Sequence, residues 1–304
     1  MLLGFTRFCK RNGYFDFMSH KNEKTLLGAH TSIAGGFDNV FGRCQTIGAN
    51  AAQIFVKNNK QWFAPALPIE EGRKFQKQVE KENLFICGHT GYLINLGAFD
   101  GSEVLEKSIE SLVQELQRAE ILGIPFLVLH PGNHGTTSEE EGLKRIAKNL
   151  EQVWKKVGKG CSVRIALENT AGQGTSLGHK FEHLAWLLKN TAHPEHLAVC
   201  LDTAHMFAAG YDIRTEKGFE KTFDIIDDLI GLKQVVLIHC NDSKTALSSR
   251  VDRHEHLGKG HIGIEAFKAL MKSSRLKHVP KILETPKSED LQEDIENLAL
   301  LKSF

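Results

Sequence analysis

The chain has no long apolar segment. Its longest uncharged apolar run, Ile121 to Leu129, covers nine residues, whereas a bilayer-spanning helix needs about 20, so such a helix is excluded. It has no C-x-x-C pair either. The six cysteines (Cys9, Cys44, Cys87, Cys161, Cys200 and Cys240) lie far apart, and four of them (Cys87, Cys161, Cys200, Cys240) sit in or beside apolar runs. They read as small core residues of a reducing compartment, which excludes a disulfide framework or a thiolate metal site. A charge surplus is also missing: 38 basic residues against 37 acidic leave +1. Any nucleic-acid partner must therefore be held by a local basic surface or by metal ions. What remains is an ordinary globular composition, 41% hydrophobic and 25% charged over 304 residues, enough for a large core.

Residues 1–24 mix aromatics with Arg7, Lys10 and Arg11 and lack the apolar run and cleavage site of a signal peptide. They read as a flexible extension, or as translation begun early with Met18 as the true start. From Leu26 one rhythm recurs: a short apolar run, a polar end, a loop, then a segment of helical period. The runs are Leu26–His30, Ala51–Lys57, Leu84–His89, Pro125–His130, Val163–Glu168, Leu197–Asp202, Val235–His239 and Lys281–Glu284, with ends 27 to 45 residues apart. Apolar almost throughout, they suit strands buried on both faces of a parallel sheet, and each gap admits one β-α-β crossover. Helices are expected at Phe37–Ile47 stopped by Gly48, and at Leu105–Ala119 behind an Asp100/Glu103 start signal and before Gly123. A third follows the Ser138/Glu141 capping box, and a last one runs through Leu291, Ile295, Leu298 and Leu301. Eight strands alternating with about eight helices predict an α/β fold, a (β/α)8 TIM barrel forming one domain over 25–304; an open doubly wound sheet is the alternative.

In a barrel the catalytic groups gather at the carboxyl ends of the strands. Those positions read His30, Lys57–Asn58, His89, His130, Glu168, Asp202, His239 and Glu284. One such residue would be an ordinary cap, but six imidazoles and carboxylates converging on one mouth form a ligand set for Zn²⁺, Mn²⁺ or Fe²⁺. Two local spacings add to it. His205 follows Asp202 by three residues, so the pair can reach different ions. Asp252 and His254 are two apart, so in an extended loop both point the same way. Four carboxylates at one mouth would repel one another without cations.

His89-x-x-Tyr92-Leu-Ile-Asn, Leu129-His130-Pro-Gly, Leu167-Glu168-Asn-Thr-Ala-Gly, Cys200-Leu-Asp202-Thr-x-His205, His239-x-Asn-Asp-Ser-Lys244, Ser249-Arg-Val-Asp252-Arg-His254 and Leu283-Glu284-Thr-Pro286 occur in that order. Together they resemble the endonuclease IV family, zinc-dependent apurinic/apyrimidinic (AP) endonucleases, over Leu26 to about Leu301. The resemblance implies three Zn²⁺ per chain: one on His89, His130 and Glu168, a second on Glu168, Asp202, His239 and Glu284, and a third on His205, Asp252 and His254. It implies a DNA-repair hydrolase cutting 5′ to an abasic site in double-stranded DNA, leaving a 3′-hydroxyl and a 5′-deoxyribose phosphate, with 3′-phosphodiesterase activity besides. Glu168 and Glu284 would be catalytic through a hydroxide held by the Glu168-bridged ions. DNA contact falls to Lys60, Trp62, Tyr92 and Leu93, in loops mixing basic and aromatic residues. A monomer without membrane or obligate protein partner is expected, in the cytoplasm, at the nucleoid if the source is bacterial.

Three positions depart from the family pattern: Lys60 stands where arginine is common, Gly91 where serine is, and Ser248 where alanine or glycine is. The loop Gly258-Lys-Gly260 reads as a weak signal for backbone amides reaching a phosphate. Sugar isomerases resembling xylose isomerase share the barrel and its metal chemistry. They would leave the third ligand group surplus and the Lys60 and Tyr92 loops unexplained.

Overall fold

The computed structural model describes residues 25–158 and 160–304. The expected N-terminal extension, with Met18 and Cys9, lies outside the described residues. Eight parallel strands close into a barrel: β1 (Leu27–His30), β2 (Ala51–Phe55), β3 (Phe85–His89), β4 (Phe126–Leu129), β5 (Arg164–Glu168), β6 (Leu197–Asp202), β7 (Val235–His239) and β10 (Lys281–Leu283). Each pairs with the next, and β1 closes on β10 through Leu27 opposite Lys281 and Ala29 opposite Leu283. A short antiparallel ribbon, β8 (Asp242–Ser243) with β9 (His254–Glu255), stands in the loop after β7.

Nine helices are described: α1 (Asn39–Ile47), α2 (Ile69–Glu82), α3 (Glu103–Leu122), α4 (Glu139–Val157), α5 (Phe181–Asn190), α6 (Thr203–Ala209), α7 (Glu216–Leu229), α8 (Ile264–Lys272) and α9 (Gln292–Lys302). Their ends follow local chemistry. Gly48 and Gly123 take the left-handed conformation that closes α1 and α3, and Ser138 and Glu141 form the reciprocal cap of α4. The start of α3 corrects the sequence reading. Ser102, not Asp100, is the cap and accepts from the Leu105 amide, while Asp100 pairs with Lys148 at 2.7 Å.

Apolar residues form two clusters. The larger lies between strands and helices, and a smaller one includes Phe85, Cys87, Phe126, Val128, Ala166, Ala198, Cys200, Leu237 and Ile282. Members of the smaller set alternate along their strands, as residues facing a barrel interior must. Two residues further on in each strand come His89, His130, Glu168, Asp202, His239 and Glu284. The polar strand ends are thus the next interior layer above the core. Cys44, Cys87, Cys200 and Cys240 are buried free thiols, and burial pushes those of Cys200 and Cys240 up to about 12.

Candidate metal centre and its cleft

Glu168, fully buried at the end of β5, is the hub. Its Oε2 lies 3.2 Å from His89 Nε2 and 3.1 Å from His130 Nε2, and its Oε1 lies 3.0 Å from His239 Nδ1 and 3.2 Å from His205 Nδ1. His239 Nδ1 also stands 3.1 Å from Glu284 and 3.7 Å from Asp202. On the outer side, Asp252 reaches His205 Nε2 at 3.2 Å and His254 Nε2 at 3.4 Å. All nine residues expected as ligands therefore meet. Ligand atoms of His89, His130 and Glu168 lie within 4.8 Å of one another, as do those of Glu168, Asp202, His239 and Glu284. The outer group also draws in Asp202, which clusters with His205 and His254.

The proton positions show what these groups fit. His89 donates from Nδ1 to the Thr90 carbonyl (2.8 Å) and His254 from Nδ1 to the Glu284 carbonyl (3.2 Å). His205 donates from Nδ1 to the Asn169 carbonyl (2.9 Å), and His239 donates from Nε2 to the Gln53 side-chain oxygen (2.8 Å). With those hydrogens engaged, the other ring nitrogens turn lone pairs toward carboxylates. Lone pair against carboxylate is repulsive unless a proton or a metal cation lies between, and imidazole with carboxylate is a donor set for zinc, manganese or iron. The electrostatics agree. Burial disfavours charge on His205, His239 and His89, yet surrounding carboxylates raise all three, the first two well above the ordinary histidine value. Burial likewise opposes ionisation of Glu168 and Glu284, yet imidazoles led by His239 hold both well below the usual carboxylate range.

Two residues to which the sequence reading gave no role complete the frame. Gln53, in β2, accepts from His239, and its amide donates to Glu284 Oε1 at 2.6 Å and lies 2.9 Å from His30 Nδ1. Asn241 donates to Asp202 Oδ2 and accepts from the Glu284 amide, each at 2.7 Å. A second group, Glu139 with His179 and His183, stands apart. Lys180 already pairs with Glu139 at 2.6 Å, and His183 Nδ1 accepts from the Gly178 amide, leaving its Nε2 to donate to Glu139. That group ties α4 to α5.

The centre floors a cleft of about 1110 Å³ lined by, among others, His30, Phe55, Lys57, Asn58, Lys60, Tyr92, Arg253 and Lys287. Lys60 and Tyr92, expected at the DNA, line it. Trp62 is half-buried and Leu93 exposed, and both lie outside its lining. Tyr92 is 69% exposed, and its ring meets that of Phe55 edge-on at 5.4 Å, which in turn meets His89 at 5.8 Å. An aromatic column thus runs from solvent to the metal-capable floor. The Gly258 and Gly260 amides do not face the cleft: with those of Ile262, Gly263 and Ser243 they donate to the buried carboxylate of Asp242 at 2.7 to 3.2 Å. Ser248, where the family pattern has alanine or glycine, sits at φ 63°, a left-handed conformation that glycine adopts without strain.

Fold and floor together define a class, (β/α)8-barrel enzymes with metal-capable imidazoles and carboxylates gathered at the carboxyl ends of the strands. A family model described as xylose isomerase-like TIM barrel matches residues 41–303. "Probable endonuclease 4" of Chloroflexus aurantiacus is 47% identical over 279 residues, 91% of this chain and 97% of that one. Its namesake from Geobacter sulfurreducens is 46% identical over 277 residues, 91% and 93% of the two chains. The crystal structure of endonuclease IV from Thermus thermophilus superposes with a TM-score of 0.81 at 36% identity, covering 91% of this chain and 98% of its own. The chain belongs to the endonuclease IV family and is a hydrolase of the nuclease class.

Proposed function

We propose that the protein incises double-stranded DNA 5′ to an abasic site, leaving a 3′-hydroxyl and a 5′-deoxyribose phosphate, and that it also removes blocking groups from 3′ ends. Three zinc ions are assigned: one to His89, His130 and Glu168, one to Glu168, Asp202, His239 and Glu284, and one to His205, Asp252 and His254. The single observation that carries this reading is the convergence of those nine side chains, lone pairs inward, on one floor. Zinc, when bound, supplies Lewis acidity that polarises phosphoryl oxygens and makes water acidic enough to attack at neutral pH.

The chain's own residues do the rest. Gln53 and the carbonyls of Thr90, Asn169 and Glu284 hold the imidazole protons away from the centre. Lys60 and Arg253 bring positive charge to the cleft wall, which suits a phosphate backbone and supplies locally what the net charge lacks. Tyr92, exposed and backed by Phe55, offers a stacking face where a base is missing. The cleft exceeds the roughly 300–1,000 Å³ of ordinary small-ligand pockets and stays open to a duplex. Among the described residues no helix is long and apolar enough to cross a membrane; we place the enzyme in the cytoplasm as a monomer.

The test is incision of a duplex carrying one synthetic abasic analogue, before and after chelation, with the product ends identified. Cleavage 5′ to the lesion that is lost with metal and regained with zinc supports the reading; an inert zinc-loaded protein overturns it.

A further inference from the structure

Ser111, Gln114, Glu115 and Arg118 recur on α3 at three- and four-residue spacing and so share one face. Each grips the segment that follows β2. Ser111 donates to the Trp62 carbonyl at 2.8 Å, and Gln114 exchanges two bonds with the Ala64 backbone, both 2.8 Å. Arg118 donates to the carbonyls of Val56 (2.6 Å) and Pro65 (2.7 Å). Glu115 lies deepest. It pairs with Lys57 at 3.0 Å, the two side chains 1% and 2% exposed, and Lys57 in turn donates to the Gln61 carbonyl at 2.5 Å. The same carboxylate accepts from the Gly91 amide at 3.1 Å and lies 3.2 Å from the Ser111 hydroxyl, whose one hydrogen it shares with the nearer Trp62 carbonyl. The segments it joins touch each other, the Tyr92 amide donating to the Asn59 carbonyl at 3.3 Å.

A buried ion pair of this kind adds little stability over apolar packing of equal volume. What apolar packing could not supply is direction. Glu115 sends bonds into two separate loops, one carrying Lys60 and the other Tyr92, and neither Glu115 nor Ser111 lines the cleft. We propose that Glu115 is a positioning residue for DNA recognition, fixing the separation of Lys60 and Tyr92 before the duplex arrives. The proposal rests on the reading above that these two side chains contact DNA. Loops ordered in advance need not be ordered on binding, so Glu115 acts on affinity for the lesion-bearing duplex and not on the phosphodiester chemistry at the floor.

The test compares Glu115→Gln and Ser111→Ala with the wild type on two substrates: the abasic-analogue duplex and bis(p-nitrophenyl) phosphate, a small diester with no base stack to grip. Glu115→Gln is expected to raise KM for the duplex by about tenfold or more while kcat stays within about threefold. Hydrolysis of the small diester and bound zinc stay at wild-type levels. Ser111→Ala, which removes only a hydroxyl, shifts KM in the same direction by less, and it decides the matter if Glu115→Gln does not fold. Unchanged duplex KM in the folded variants, or equal losses on both substrates, would overturn the assignment of Glu115. Failure of the wild type itself to incise the duplex would instead sink the proposed function, so the two failures are distinct.

Discussion

The Nε2 atoms of His205 and His254 face each other at 3.4 Å, and each ring spends its Nδ1 hydrogen on a backbone carbonyl, that of Asn169 or of Glu284. Two lone pairs this close repel unless a proton or a metal ion lies between them, and with Asp252 beside both the three side chains suit a metal ion. His205→Asn is therefore expected to lower zinc content by one ion per chain while leaving the inner groups loaded. Metal analysis of the purified variant checks this; three ions retained would contradict it.

Glu284 serves the same floor from β10, with Oε2 at 3.1 Å from His239 and Oε1 receiving the Gln53 amide. Glu284→Gln keeps the shape and removes the charge. Abasic-site cleavage is expected to fall by about a hundredfold or more, and added zinc does not fully restore it. A variant with wild-type rates would remove Glu284 from the centre.

Gln53 sets the proton position of His239 without facing the carboxylates of the outer group. Replacement by Met leaves His239 Nε2 without its acceptor, and zinc affinity is expected to drop by about 10- to 100-fold. Competition with a chelator of known affinity reads the change. Equal zinc retention in variant and wild type would reduce Gln53 to packing.

Asp242 receives five backbone amides, four of them from the turn 258–263. A Cβ on Gly260 would lie 2.4 Å from the Ser243 carbonyl and 2.5 Å from the Asp242 carboxylate, so the backbone can approach this closely only as glycine. In Asp242→Asn an NH₂ group opposes N–H donors, and stability should fall by about 3 kcal/mol, measured by urea unfolding. Hydrogen exchange should localise the loosening to 256–263.

Lys281, buried at the start of β10, donates to the Leu276 carbonyl at 2.6 Å, and burial lowers its pKa to about 8. Above pH 10.5 the amine is neutral folded or unfolded and carries no penalty; below pH 8 it is charged in both states and the full penalty applies. Between these limits the unfolded chain binds the extra proton, so stability rises with pH, by about 3 kcal/mol in all. Lys281→Met should flatten this rise and gain stability at pH 7, as denaturant midpoints from pH 7 to 10 would show.

The barrel and most of its floor were legible because a polar residue breaking a short apolar run is a local signal. His89, His130, Glu168, Asp202, His239 and Glu284 each sit two residues beyond an apolar interior position. Gln53 carried the same signal, a polar residue on the inward phase of β2 between Ala51 and Phe55, but it lies inside the strand and not at its end. The amides of Gly258 and Gly260 were misread as facing a phosphate because their acceptor, Asp242, is 16 and 18 residues away, and side-chain capture at that distance leaves no local pattern. The setting of Trp62 was hidden for a related reason: its backbone is held by Ser111, 49 residues on, and its half-buried side chain lies outside the cleft lining.

Closure of the barrel places Glu284, at the foot of the last strand's loop, beside residues drawn from β3, β4, β5, β6 and β7. The group of Glu168, Asp202, His239 and Glu284 is complete only once β10 has docked between β1 and β7, whereas the groups around His89 and His130 and around His205 and His254 take nothing from β10. A chain still lacking its last segment is thus one carboxylate short at the middle of the floor, and the final strand to be made is also the one that completes that group.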